Sequence, residues 1–102
     1  MAQFMVTALD GRDQESFQRR RDARPEHLER IRPFVESGEL IFAGALTDAA
    51  GRPSGSVFAM ELSSREELDK WIADDPYTRN GVWTSVDVKE IRVGVRDGRI
   101  TA

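Results

Sequence analysis

Apolar and polar positions alternate with two different periods along this chain. Over Gln3–Leu9, "QFMVTAL", strand-forming residues crowd together and stop at the Asp10-Gly11 turn pair, which predicts a short β-strand. From Asp13 to Ser37 the period lengthens. Phe17 starts a sparse apolar set, and Leu28, Ile31, Phe34 and Val35 form a stripe spaced for one helix face. Pro25 suits the first turn of a new helix, so the pattern predicts one short helix near 14–22 and a second from Pro25. Pro33 removes a backbone donor and predicts a bend in that second helix, and Gly38 predicts its C-cap. Glu26 and Arg30 form an i,i+4 pair on the polar side.

The second half repeats the theme. "ELIFAGAL" (Glu39 to Leu46) is a nearly continuous apolar run, as expected of a central strand covered on both faces. A turn-rich "TDAAGRPSG" separates it from "SVFAMEL" (Ser56 to Leu62), so the two read as a hairpin with a long loop. Ser64 and Glu67 make a capping-box pattern opening a helix through "REELDKWIAD", with Leu68, Trp71 and Ile72 inward and Pro76 as the stop. The last strand runs from Trp83 to Val93; its apolar phase changes between Val88 and Ile91, which predicts a bulge there. "RDGRITA" is left as a tail or a short strand after the Asp97-Gly98 turn.

The order β-α-β-β-α-β predicts an α+β fold of ferredoxin-like type, an antiparallel sheet with both helices on one face. The uncovered sheet face then calls for a partner, and a second copy packing sheet to sheet would supply it.

With 102 residues the chain forms one domain, whose core spans about 3–93 and leaves 94–102 as an extension. Charged residues at 32% and hydrophobic ones at 39% are an ordinary globular balance. A net charge of -3 argues against nucleic acid as a partner. No apolar run has the roughly 20 residues of a membrane span, and "MAQFMVTALDGRD" lacks the features of a signal peptide. A cytoplasmic location is the default expectation. There is no cysteine and one histidine, which leaves no thiol chemistry and makes a protein-held transition metal an unpromising expectation.

That histidine, His27, sits in "RPEHLERI", four residues before Ile31 and seven before Phe34, on the inward stripe. It is the one side chain whose ordinary pKa suits proton transfer near neutral pH. The competing account is a half-buried histidine satisfied by a backbone carbonyl. Asp75, in "DDPY", lies three and four residues beyond Ile72 and Trp71 and also points inward. It is either a helix-ending Asp-Pro turn or the partner that orients His27, while Asp74 faces solvent. Tyr77, the only tyrosine, either packs or offers a hydroxyl to the same place. Arg19, Arg20, Arg21 and Arg24 lie among Asp13, Glu15, Asp22, Glu26 and Glu29, a mixed-charge solvated face. Arg24, three residues before His27, is the one placed to reach a substrate carboxylate. Phe42, Phe58 and Trp83 are candidate apolar walls.

"RRRDARPEHLERI", "AGALTDAAGRPSGSVFAMEL" and "WIADDPYTRNGVW…VDVKEI" together resemble the YCII-related (YciI-like) family, from Phe4 to about Val93. The resemblance is most specific at Arg24–His27, at Ala43-Gly44 and from Trp71 to Tyr77. It implies a ferredoxin-like fold that dimerises into an α/β barrel, a pocket with a His27–Asp75 pair, and ligand contacts from Arg24, Tyr77 and Gly44. It also implies small-molecule enzymology without metal or organic cofactor, of lyase (dehydrochlorinase) or isomerase type, on a small aromatic or anionic substrate. The alternative expectation is a non-catalytic module, either a small-ligand binder or an accessory dimerisation domain.

Overall fold

The structure, a computed structural model, describes residues 1–101. Its main elements are β1 (Ala2–Asp10), α1 (Ser16–Ser37), β2 (Leu40–Thr47), β3 (Pro53–Leu62), α2 (Arg65–Ala73), the short α3 (Pro76–Arg79) and β4 (Trp83–Ile91). The four strands form one sheet in the order β2-β3-β1-β4, and every neighbouring pair is antiparallel. This is the expected ferredoxin-like arrangement. Period-2 alternation sends Phe4, Val6 and Ala8 of β1, with Phe58, Met60 and Leu62 of β3, to the helix side, where they meet Leu68, Trp71 and Ile72 of α2 and Ala23 of α1.

α1 is a single helix of 22 residues that runs through both Pro25 and Pro33, not the pair of helices that the prolines predict. Each proline forfeits one backbone hydrogen bond. Both lie on the exposed side of the helix, as do Arg21 and Glu29, the residues whose carbonyls they leave free. Water can satisfy those carbonyls, so the interruption is tolerated. Gly38 closes the helix with φ of 85° and its N–H on the Val35 carbonyl, the left-handed cap that glycine supplies. The stripe is narrower than expected: Ile31 and Phe34 pack against the core, while Leu28 and Val35 remain exposed at 38% and 54%.

β2 is an edge strand, with only Leu40 buried. Its continuous apolar run looks central because both faces carry nonpolar residues, but the helices cover only one. Phe42 projects to the outer face and is 46% exposed, so it is not a wall of the helix-side cavity. The central strands are β1 and β3. The bulge expected between Val88 and Ile91 is absent: pairing with β1 continues without a break from Gln3↔Ile91 to Leu9↔Ser85 and shifts only between Leu9 and Asp10. The phase change arises because Ile91 belongs to the outer face while Val88 packs inward.

α2 opens as the capping pattern predicts, Ser64 accepting from the Glu67 N–H. Glu67 returns its bonds to Ser63, one residue upstream of the predicted partner. Beyond β4, Val95–Arg96 (β5) and Arg99–Ile100 (β6) pair as a small hairpin. Its turn residues Asp97 and Gly98 both have positive φ, the geometry of a tight hairpin turn that suits strand twist. Of the two readings left open for this segment, the strand is the observed one.

Candidate active site

α1, the sheet and the α2–α3 junction enclose a cavity of about 220 Å³, lined by Arg20, Arg24, His27, Tyr77, Phe58 and Trp83 among others. A wider hollow of about 530 Å³ lies between the β1–α1 loop and the β2–β3 hairpin. Its acidic groups are already engaged, Asp13 with Arg19 and Asp48 with Arg52. The smaller cavity is the one bordered by the single histidine.

His27 and Asp75 meet there, Nδ1 standing 2.8 Å from Asp75 Oδ1. Asp75 is not the last residue of α2 but the N-cap of α3, where it accepts from the Tyr77 N–H at 2.9 Å and is followed by Pro76 in the first turn. The Asp-Pro sequence therefore does both jobs that its pattern allows. It ends one helix and starts another, and the turn holds the carboxylate fully buried against the imidazole.

The fourth member of this cluster is Arg30. Its Nη1 donates to Asp75 Oδ2 at 3.1 Å, its Nη2 donates to the Trp71 carbonyl at 2.7 Å, and the guanidinium lies 4.4 Å from the centre of the Trp71 ring. Glu26, its expected helical partner, pairs instead with Arg79. Arg30 follows His27 by three residues and shares its face. That spacing was the available signal, outweighed by the simpler i,i+4 charge pair.

An aromatic layer fixes the imidazole plane. Tyr77 stacks on His27 with ring centres 3.9 Å apart and planes within 9°, and Trp83 meets the same ring edge-on at 5.9 Å. Burial pushes the Tyr77 hydroxyl above its ordinary pKa, against the lowering pull of the Arg20 and Arg24 charges. At neutral pH Tyr77 is thus a neutral donor, not a base. Phe58 stacks on Trp83 at 5.8 Å and completes the wall.

The arginine group separates into different fates. Arg20 is buried, and its Nη1 contacts both oxygens of Asp10 at 2.9 Å while Nη2 donates to Ser56 Oγ at 2.9 Å. Burial pushes the Asp10 carboxyl up, and its hydrogen bond and attraction to Arg20 oppose the shift. Ser56 also accepts from Trp83 Nε1 at 3.1 Å. A solvated face was the expectation for this arginine; helix periodicity turns it under α1, and only the fold shows that β1 supplies an acid beneath it. Arg19 pairs with Asp13 at the surface. Arg24 lines the cavity mouth, exposed and without an ion pair among the described residues. Gly44 borders the β2 side through its backbone, since its Cβ direction is the outer sheet face it shares with Val57. Among the described residues no group of three or more metal-ligating side chains gathers, and no helix is long and apolar enough to cross a membrane.

Residues 2–92 match the model of the YCII-related domain. This chain belongs to the YCII-related family. Among relatives, the Xenovulene A biosynthesis cluster protein asL2 of Sarocladium schorii is 34% identical over 91 residues, 79% of each chain. The YciI protein of Escherichia coli O6:H1 is 32% identical over 96 residues, 87% of this chain and 95% of its own. Among solved structures, the 5-chloro-2-hydroxyhydroquinone dehydrochlorinase of Burkholderia phenoliruptrix, in complex with 2,5-dihydroxybenzoquinone, superposes with a TM-score of 0.79. It is 24% identical, the match covering 90% of this chain and 95% of that one. A dimeric ferredoxin-like protein from Jannaschia superposes with a TM-score of 0.51 at 13% identity. These likenesses to solved structures agree with the ferredoxin-like fold.

Proposed function

We propose that this YCII-related protein is a small-molecule enzyme in which His27 acts as general base and acid, oriented by Asp75. The observation that carries the reading is the 2.8 Å contact of Nδ1 with a buried carboxylate at the wall of a cavity. Asp75 already accepts from the Tyr77 N–H and from Arg30, so towards His27 it is an acceptor too. That assigns the proton of the neutral ring to Nδ1 and its lone pair to Nε2. Nε2 is then the nitrogen able to take a proton from a substrate held in the cavity, while Asp75 holds the ring in that orientation.

Arg24 binds an anionic group at the mouth, the Gly44 backbone borders the cavity on the β2 side, and Tyr77 and Trp83, set edge to face with ring centres 5.4 Å apart, form the aromatic wall for a small planar ring. The reactions that fit are proton abstraction coupled to loss of a leaving anion, or return of the proton at another carbon as an isomerisation. The fold likeness to a dehydrochlorinase, and relatives from biosynthetic clusters, support enzymology of this kind. The functional unit is a homodimer joined through the outer sheet face. Phe42, Ala59 and Met5 lie in one row across that face, followed by Gly44, Val57 and Thr7 in the next.

Chloride release from 5-chloro-2-hydroxyhydroquinone under anaerobic conditions tests the reading. The wild type should exceed a folded His27→Ala protein by roughly 10²–10⁴-fold, the usual contribution of a positioned acid–base group. Equal rates in the two proteins would overturn the assignment. Saturable binding of 2,5-dihydroxybenzoquinone with no turnover of any chlorinated hydroquinone would favour a ligand-binding module.

A further inference from the structure

We propose that Ser56, backed by Arg20, forms an oxyanion subsite on the sheet side of this cavity; the idea rests on the reading of the cavity as a substrate site and adds the group that receives the developing charge. Ser56 lies on β3, flanked by Ala8 and Ala45 in the neighbouring strands, with its side chain on the helix face. It is 7% exposed and borders the cavity. Its Oγ accepts from Arg20 Nη2 at 2.9 Å and from Trp83 Nε1 at 3.1 Å.

A guanidinium and an indole can only donate, so both acceptor sites of the hydroxyl are filled. The hydroxyl's own proton has no acceptor among the described residues. In a nearly buried position such a donor is expected to find a partner, and the free space beside it is the cavity. The two donors orient the hydroxyl and polarise it, because hydrogen bonds in a chain strengthen one another. Arg20 is itself held by Asp10 through Nη1, which leaves its Nη2 on Ser56. Asp10 and Arg20 are positioning residues, and Ser56 is the group that touches the ligand.

The site is bracketed by the same rings as His27. Arg20 lies 4.9 Å from the Tyr77 ring centre, Tyr77 stacks on His27, and Trp83 joins His27 to Ser56. Near His27 the cavity therefore offers a proton acceptor, and near Ser56 a proton donor. The ligand class that matches is a small planar molecule with an acidic proton conjugated to a carbonyl or enolate oxygen. When Nε2 removes that proton, the electron pair delocalises onto the conjugated oxygen, which the Ser56 hydroxyl stabilises by a hydrogen bond.

The test uses benzoate, an aromatic carboxylate with no proton for His27 to take at neutral pH, added to the ¹⁵N-labelled full-length protein. Benzoate should move the Trp83 indole N–H signal saturably. Ser56→Ala should weaken the affinity about tenfold, as expected for losing one hydrogen bond to a charged group. Ser56→Thr, which returns a hydroxyl, should recover at least threefold of it, and His27→Ala should still bind. Saturation without movement of the Trp83 signal, equal affinity in Ser56→Ala, a Ser56→Thr protein as weak as Ser56→Ala, or no benzoate binding by the wild type overturns the subsite. Failure of His27-dependent chloride release would leave these results readable, because benzoate binding asks nothing of the acid–base step.

Discussion

Replacing Asp75 by Asn keeps the shape of the side chain and removes its charge, which makes it a sharp probe of the cluster that holds His27. In the native protein Oδ1 accepts from His27 Nδ1 and from the Tyr77 N–H at 2.8 and 2.9 Å, and Oδ2 accepts from Arg30 Nη1 at 3.1 Å. The best placement for an amide keeps its oxygen at Oδ1, so the α3 cap and the imidazole contact survive. Its NH₂ then faces the Arg30 guanidinium, donor against donor. Arg30 retains the Trp71 carbonyl and ring but loses its counter-charge. Losing a hydrogen bond to a charged group costs roughly 1.5–3 kcal/mol, so about 2 kcal/mol is expected here. For a domain of this size that corresponds to roughly 8–16 °C in Tm. Urea unfolding followed by far-UV circular dichroism measures it. A double-mutant cycle with Arg30→Met then isolates the pair, since with Arg30 gone the Asp75→Asn change should lose most of its effect. A single-mutant loss below about 0.5 kcal/mol, or a full loss in the Arg30→Met background, would refute this account of the cluster.

Three further outcomes are expected. Gly55→Ala should destabilise by roughly 1–3 kcal/mol in thermal melts, as overpacking does, because its Cβ would stand 2.7 Å from the Ala8 carbonyl oxygen. The Arg19 guanidinium beside Asp13 holds that carboxyl at about 2, below its ordinary 3.8. The unfolded chain then binds more protons than the folded one between these values, so this contribution is present above pH ~4 and fades as pH falls through ~2. Asp13→Asn should flatten that part of the pH profile of the urea midpoint. Phe42→Asp, on the outer sheet face, should shift the protein to monomer in analytical ultracentrifugation without lowering its helix content; a dimer that persists would place the interface elsewhere.

Much of the fold was written in local pattern. Short-range signals, the Asp10-Gly11 stop, the Ser64 cap and the Gly38 terminus, named the elements and their order because turn and cap chemistry depends on neighbours within a few residues. The inward placement of His27 follows from the same helical arithmetic, whereas Asp75, extended at the N-cap of α3, is turned inward by the α2–α3 junction. What periodicity could not supply was who meets whom. It read Pro25 as a helix start, because the sequence does not reveal that the carbonyls freed by the prolines face water. It read Glu39–Leu46 as central, because an apolar run has the same appearance at an edge whose outer face awaits cover. It left Arg20 and Arg30 among surface charges, although each ends on a buried acid, Asp10 or Asp75. Those pairings span 10 and 45 residues, and charge partners at such separations are selected by packing, since burying either ion without its partner would be prohibitive. The sequence by itself determined the four main strands, the start of α2 and the inward direction of the one imidazole. Only the tertiary structure decided that a buried carboxylate, an arginine and two aromatic rings converge on it, because that convergence depends on the strand order and on the α2–α3 junction packing against α1.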